Sequence, residues 1–287
     1  MIVSPEEIRL RLPHIELAAQ AYGPADGSPV IALHGWLDNA ATFARLAPKL
    51  QGLRIIAVDF AGHGHSQHRP PGGGYALWDY VHDVLLVAEQ LDWPRFSLLG
   101  HSLGAIVSVL LAATFPERVR RLALIDGLIP PTVEADAAVA SLAEALRGRL
   151  TLATKRKPVY PSLERAAQVR QRGVGHVSFA AAQLLAQRGL MPVAGGLTWR
   201  TDSRLTLATP LRLTAAQAQA FVSALSCPAT LVLAEQGLLV QRDGLDTLLA
   251  QAAINIERLP GGHHLHLDDE QGAQLVADCF NPFLSAP

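Results

Sequence analysis

Cysteine is nearly absent from this chain. Only Cys227 and Cys279 occur among 287 residues, too few for a disulfide framework, so reduced thiols in a cytoplasm are expected. Charge is sparse as well. Lys, Arg, Asp and Glu make up 17% of the residues and the formal net charge is −1, which gives no reason to invoke nucleic acid as a partner. No apolar run reaches the roughly eighteen residues that a membrane span requires. The first residues carry Glu6 and Glu7 and no apolar core of a secretory signal, so none is expected. Internal repeats and low-complexity tracts are missing. What remains is an ordinary globular composition: 49% of residues are apolar, enough for a sizeable core.

The few charges are unevenly placed. Residues 127–223 hold 12 Lys and Arg against 5 Asp and Glu, a balance of +7, while the rest of the chain has 12 basic against 20 acidic residues. Such a shift suggests a separate structural unit in the middle of the chain. The pattern of elements agrees. Before it, short apolar runs alternate with helical stretches. Ile8–Leu12 and Ile15–Tyr22 read as a hairpin around Pro13 and His14. Strands follow at Val30–Leu33, Leu53–Val58, Phe96–Leu99 and Val119–Ile125, with helices expected over Ala40–Leu50 and Leu77–Leu91. From Leu128 to Ala224 no convincing strand occurs, and Ala135–Arg149, Leu163–Gln171 and Ser178–Gln187 read as helices. The alternation resumes with strands at Ala229–Leu233 and Ile254–Leu259 and helices near Leu245–Ala253 and Asp268–Phe283. This is the pattern of an α/β chain: a mostly parallel sheet with helices on both faces, whose ligands bind at the carboxyl ends of the strands. His34, Asp59, Ser102 and Asp126 all fall at such ends. The expected division is a core of residues 1–126 and 224–287 with a helical insertion over 127–223.

The chain is organised around Gly100-His101-Ser102-Leu103-Gly104. By chance a Gly-x-Ser-x-Gly pattern arises in roughly one chain in ten of this length, so its place between a strand and a helix carries the weight. A serine on so sharp a turn needs small neighbours, and the two glycines supply them. Its hydroxyl then stands at a helix N-terminus, whose N–H groups and dipole favour an oxyanion.

A serine is a weak nucleophile until a base takes its proton, and a histidine base needs an acid to hold its tautomer. The expected chain order on a strand–turn–helix nucleophile is Ser, acid, His. His263, in the loop Pro260-Gly261-Gly262-His263, is the first choice for the base, with His264 and His266 as competitors. Asp126 is the favoured acid, with Asp243 and Glu235 as alternatives; its bland reading is a cap on the insertion's first turn. The backbone N–H groups of Trp36 and Leu103 are the candidate oxyanion hole. His63, His65 and His68 share one short loop with no carboxylate or cysteine at ligand spacing, so no metal is expected there. Gly62-x-Gly64 lacks the third glycine of a dinucleotide fingerprint, so no cofactor is expected either.

Together these motifs resemble the α/β-hydrolase superfamily, and within it the serine hydrolase-like proteins. The resemblance rests on Leu33-His34-Gly35-Trp36-Leu37-Asp38-Asn39-Ala40, Asp59-Phe60-Ala61-Gly62-His63-Gly64-His65-Ser66 and Leu99-Gly100-His101-Ser102-Leu103-Gly104. Trp199-Arg200-Thr201-Asp202-Ser203-Arg204-Leu205 and the Pro260–His263 loop extend it over nearly the whole chain. It implies an eight-stranded sheet with a helical cap after the sixth strand, Ser102 as nucleophile, His263 as base, and Trp36 and Leu103 as oxyanion donors. In the commoner superfamily pattern the acid stands where this chain has Gly237. A serine at 102 argues against epoxide hydrolases and haloalkane dehalogenases, which use Asp there. The activity implied is hydrolysis of a carboxylic ester or thioester of a small-molecule acyl substrate, with the basic cap favouring one that carries an anionic part. Amide, lactone or carbon–carbon hydrolysis, or ligand binding without catalysis, are the rival readings. Nothing in the sequence speaks to oligomeric state.

Overall fold

Eight strands form one sheet, and the alternation of their side chains dictates what covers each face. The structure, a computed structural model, describes residues 5–152, 156–250 and 252–286. Strands β1 (Glu6–Arg11) and β2 (Glu16–Tyr22) make the expected antiparallel hairpin. Then come β3 (Ser28–Leu33), β4 (Leu53–Val58), helix α1 (Leu77–Gln90), β5 (Phe96–His101), α2 (Leu103–Thr114) and β6 (Val119–Ile125). After a long excursion the sheet is completed by β9 (Ala229–Gln236) and β10 (Asn255–Gly262), with α7 (Leu245–Ala250) between them and α8 (Leu265–Asp268) and α9 (Glu270–Ser285) behind. The strand order is β1-β2-β4-β3-β5-β6-β9-β10, antiparallel for the first two pairings and parallel from β4 onward.

Adjacent residues of the central strands point to opposite layers. Ile31, Leu33, Ile56, Leu98, Leu124 and Leu231 pack against α1, α2 and α7 on one face. Val30, Ala32, Ile55, Leu99, Ile125 and Val232 pack against Phe43, Leu46 and the Val276–Phe280 stretch of α9 on the other. That double burial is why these strands read as continuous apolar runs. The chain moves from β3 to β4 on one side and then to β5 on the other. The carboxyl ends of β3 and β5 therefore flank the point where the sheet changes direction, the usual place for a ligand.

Between β6 and β9 lie α3 (Ala138–Leu152), α4 (Leu163–Gln171), α5 (Phe179–Gly189), the short strands β7 (Leu190–Val193) and β8 (Gly196–Trp199), and α6 (Ala215–Ser223). Ala166, Ala167, Val177, Ala181, Leu185 and Leu190 form an apolar cluster of their own with Leu267. In contrast, Val222 of α6 joins the cluster beneath α2. Several expectations fail here. The β7–β8 hairpin contradicts a strand-free segment: it is four residues a side with Pro192 inside it, too short to show periodicity. Helix α6, capped by Thr214 and Gln217, was not anticipated. The helix expected over Ala40–Leu50 is two 3-10 turns, Ala40–Phe43 and Ala47–Lys49. Pro48 has no N–H for a continuous helix and starts the second turn instead. The helix near Leu245–Ala253 is described only to Ala250, and position 251 lies outside the described residues. Among the described residues no helix is long and apolar enough to cross a membrane.

Candidate active site

Ser102 follows β5 directly and precedes the first residue of α2, with φ 52° and ψ −112°. A left-handed backbone at a residue with a side chain costs about 1–3 kcal/mol and persists only where the surroundings impose it. Here they do. A Cβ on Gly104 would overlap the Leu33 carbonyl of β3, and one on Gly100 would lie 2.5 Å from the Ala105 Cα. Only glycines let β3, β5 and α2 meet this closely. The Ser102 N–H donates to the Ile125 carbonyl at 3.0 Å, which sets the serine beside the end of β6. No acidic residue in the first turn of α2 offsets the positive end of its dipole beneath the hydroxyl.

The next residue after Ile125 is Asp126, itself at φ 41°. Its Oδ2 lies 2.5 Å from Nδ1 of His263, the first residue after β10, and also accepts from the Leu238 N–H at 2.9 Å. Both side chains are buried. The other ring nitrogen, Nε2 of His263, has no partner among the described residues. A Cβ on Gly237 would fall on the Asp126 carboxylate. The Asp126 carboxylate thus reaches across from the neighbouring strand into the space beside Gly237, and position 237 has no room for a side chain of its own. Asp243 and Glu235 are exposed and meet no histidine. The insertion lies close above His263: a Cβ on Gly175 would sit 2.6 Å from its Cδ2.

At the end of β3, His34 pins the turn that carries Trp36. Its Nδ1–H donates to the Gly35 carbonyl at 2.7 Å and its Nε2 accepts from the Phe60 N–H at 3.0 Å. Burial holds its pKa below the ordinary range, so the neutral ring can fill both roles. Leu37 takes φ 62° just beyond. The Trp36 indole donates to the Leu205 carbonyl at 3.0 Å and so ties the turn to the insertion. The backbone N–H groups of Trp36 and Leu103 donate to nothing among the described residues, which leaves both available to a ligand.

A second histidine group lies behind the first, and sequence reading did not find it. Asp38, fully buried, accepts from Arg170 of α4 at 2.6 Å on Oδ1 and from His264 Nε2 at 2.9 Å on Oδ2. Burial alone would raise the Asp38 pKa; Arg170 and His264 outweigh it and hold the carboxyl well below its usual range. His101 donates from Nε2 to the His263 carbonyl at 2.9 Å. Its ring lies 4.4–4.7 Å, centre to centre, from those of His263, His264 and His266. Burial, then the neighbouring imidazoles, push His101 well below the ordinary histidine range, so it stays neutral. The signal in the sequence was three histidines within four residues; which one meets which acid depends on contacts 137 and 226 residues apart.

Asp38, His101 and His264 offer three possible metal ligands, as do His14, His82 and Asp83. In each set the aspartate is already neutralised by an arginine: Arg170 on Asp38, and Arg69 on Asp83 at 2.7 Å. A divalent cation would have to displace a half-buried guanidinium. His63 is a core residue, buried against His34, with its pKa lowered by burial to about 3. His68 bonds the Arg200 carbonyl.

The basic excess of the insertion is partly occupied within the protein. Arg188 of α5 forks onto Asp59 at 2.9 and 3.0 Å, Arg170 holds Asp38, and Arg204 pairs with Asp202 at 2.6 Å. Lys157 donates to the Trp199 carbonyl at 3.0 Å and also to those of Arg200 and Thr201. These four of the 12 cations are therefore not free to receive an anionic ligand.

Comparison with known proteins bears on the family and the fold. A family model of the alpha/beta hydrolase fold matches residues 28–270. A serine hydrolase-like protein of Danio rerio is 33% identical over 96% of this chain and 88% of its own length. A probable serine hydrolase of Drosophila melanogaster is 33% identical over 91% and 83%. Among solved structures, a hypothetical protein of Pseudomonas aeruginosa PAO1 is 65% identical with a TM-score of 0.96, covering 98% of this chain and 100% of that one. The thioesterase domain of a curacin biosynthetic pathway is 25% identical with a TM-score of 0.82, covering 96% and 99%.

Proposed function

The chain belongs to the α/β-hydrolase family, among its serine hydrolase-like members, and from that footing we propose that it cleaves a carboxylic ester or thioester through an acyl-enzyme on Ser102. The observation that carries the reading is the 2.5 Å pairing of Asp126 with His263 beside a serine in the left-handed backbone region. Asp126 keeps the proton on Nδ1 of His263, so Nε2 is free to act as the base. Ser102 Oγ attacks the substrate carbonyl while Nε2 takes its proton. The oxyanion forms against the N–H groups of Trp36 and Leu103. Collapse breaks the ester or thioester bond, and the imidazolium protonates the departing alkoxide or thiolate. Water, deprotonated by the same ring, then attacks the acyl carbon; the acyl–Oγ bond breaks, the imidazolium returns its proton to Ser102 Oγ, and the acid leaves. No cofactor enters the cycle. The thioesterase domain among the structural relatives supports the thioester alternative.

The insertion over 127–223 is the cap that sets substrate choice, and the cytoplasm, where both thiols stay reduced, is the setting. Cations other than Arg170, Arg188, Arg204 and Lys157 give the cap a preference for acyl substrates with an anionic part. A fluorophosphonate probe followed by an ester and thioester panel tests the reading. Labelling at Ser102, abolished in Ser102→Ala, together with turnover of one acyl class, is the expected result. Folded protein that takes no label would indicate a ligand-binding role instead. The anionic preference is checked by kcat/KM for neutral and anionic acyl substrates against added salt, where an unchanged ratio removes it.

A further inference from the structure

Helix α3 turns its large aliphatic side chains to solvent. Val139, Leu142, Leu146 and Leu150 are spaced three, four and four residues apart, and so form one stripe. They are 81%, 46%, 47% and 82% exposed, while the face turned inward offers only one buried residue, Ala145. Charge is segregated at the two ends of the same helix; Glu144, the one charge between them, is exposed on the side away from the stripe. Glu134 and Asp136 are exposed just ahead of it, at the 3-10 turn Ala135–Ala137, and Arg147 and Arg149 are exposed toward its end. No side chain of these four has an ion pair or a hydrogen bond among the described residues, although ten other arginines of the chain are paired with carboxylates. Helix-dipole compensation accounts for that polarity alone. It leaves unexplained four aliphatic side chains standing in water between the charges.

We propose that α3 is a self-complementary interface, covered in solution by α3 of a second copy running antiparallel to it. A two-fold axis between Leu142 and Leu146 places each against the other's counterpart, as an isologous contact requires. It brings the acidic start of one helix to the basic end of its partner. Asp136 and Arg149 are 13 residues apart, ~20 Å along the axis, and the pairing closes that gap at both ends. An anionic bilayer would attract one end of the helix and repel the other, so a lipid surface fits less well. The apolar stripe alone covers less than the roughly 800 Å² per partner of a standard interface, so the dimer is a weak one with a dissociation constant on the order of tens of micromolar.

Sedimentation velocity from about 1 to 500 μM tests this. The wild type is expected to pass from monomer to dimer across that range. Leu146→Asp, an exposed position, is expected to weaken the association at least about tenfold with an unchanged melting temperature. Asp136→Arg and Arg149→Asp are each expected to weaken it, and the two together to restore it to within about twofold of wild type, because the pair is then reversed. A wild type that stays monomeric throughout, or a dimer indifferent to Leu146→Asp, overturns the proposal. So does a double variant that does not recover. Monomeric protein that binds phosphatidylglycerol vesicles through Leu146 would overturn it in favour of a lipid surface.

Discussion

Replacing Asp126 with asparagine separates the charge of this carboxylate from its geometry. Two N–H groups, from His263 Nδ1 and Leu238, converge on Oδ2, while Oδ1 is buried with no partner. An asparagine at 126 therefore turns its carbonyl to the Oδ2 position; its amide there would face two donors. The imidazole keeps its tautomer and its orientation, the negative charge is lost, and the amide NH2 takes the unpartnered Oδ1 place. At roughly 4 Å and an effective dielectric constant of about 20, that charge stabilises the imidazolium of the transition state by about 4 kcal/mol. The expected loss in kcat is about 10³-fold. Asp126→Ala removes the orienting bond as well. It should approach a 10⁴-fold loss, and strand the Leu238 N–H at about 1–3 kcal/mol of stability. Steady-state kinetics on the best ester, with thermal melting alongside, reads both. An asparagine variant within tenfold of wild type, or one no better than alanine, would refute the assignment of Asp126.

Gly237→Asp in the wild type should abolish activity, because its Cβ meets the Asp126 carboxylate; combined with Asp126→Gly, it should recover at least about tenfold over Asp126→Gly alone, read as kcat. Glycine also suits the φ of 41° at position 126. Gly175→Ala places a methyl 2.6 Å from His263 Cδ2 at a backbone φ of +60°, so kcat should fall by about tenfold or more with little change in far-ultraviolet dichroism. Burial alone would raise the Asp202 carboxyl, but Arg204 and the Tyr75 hydroxyl outweigh it and lower it to about 2. A depressed carboxyl stabilises the fold above its ordinary pKa and loses that contribution as pH falls. Asp202→Asn should therefore melt below wild type at neutral pH, with the difference closing between about pH 4 and pH 2; a constant gap would contradict the pairing.

Much of the fold could be read without coordinates because its signals are local. Doubly buried strands are apolar throughout, and Gly100 and Gly104 flank Ser102 because a strand, a turn and a helix meet within five residues. The turn His34-Gly35-Trp36 lies at a strand end for the same reason. The β7–β8 hairpin escaped notice because four residues do not make a period. Missing α6 shows how a polar, alanine-rich stretch hides a capped helix.

The sequence by itself determined the nucleophile turn and the layered α/β order, since each depends on residues a few positions apart. The tertiary structure alone decided which carboxylate meets which histidine. Asp126 reaches His263 because parallel pairing sets β6 beside β9 and β9 beside β10, and Asp38 meets His264 where α4 delivers Arg170 to the same carboxylate. It also decided that the apolar stripe of α3 faces water. Periodicity tells a helix from a strand; what lies against each face is settled by where the other elements pack.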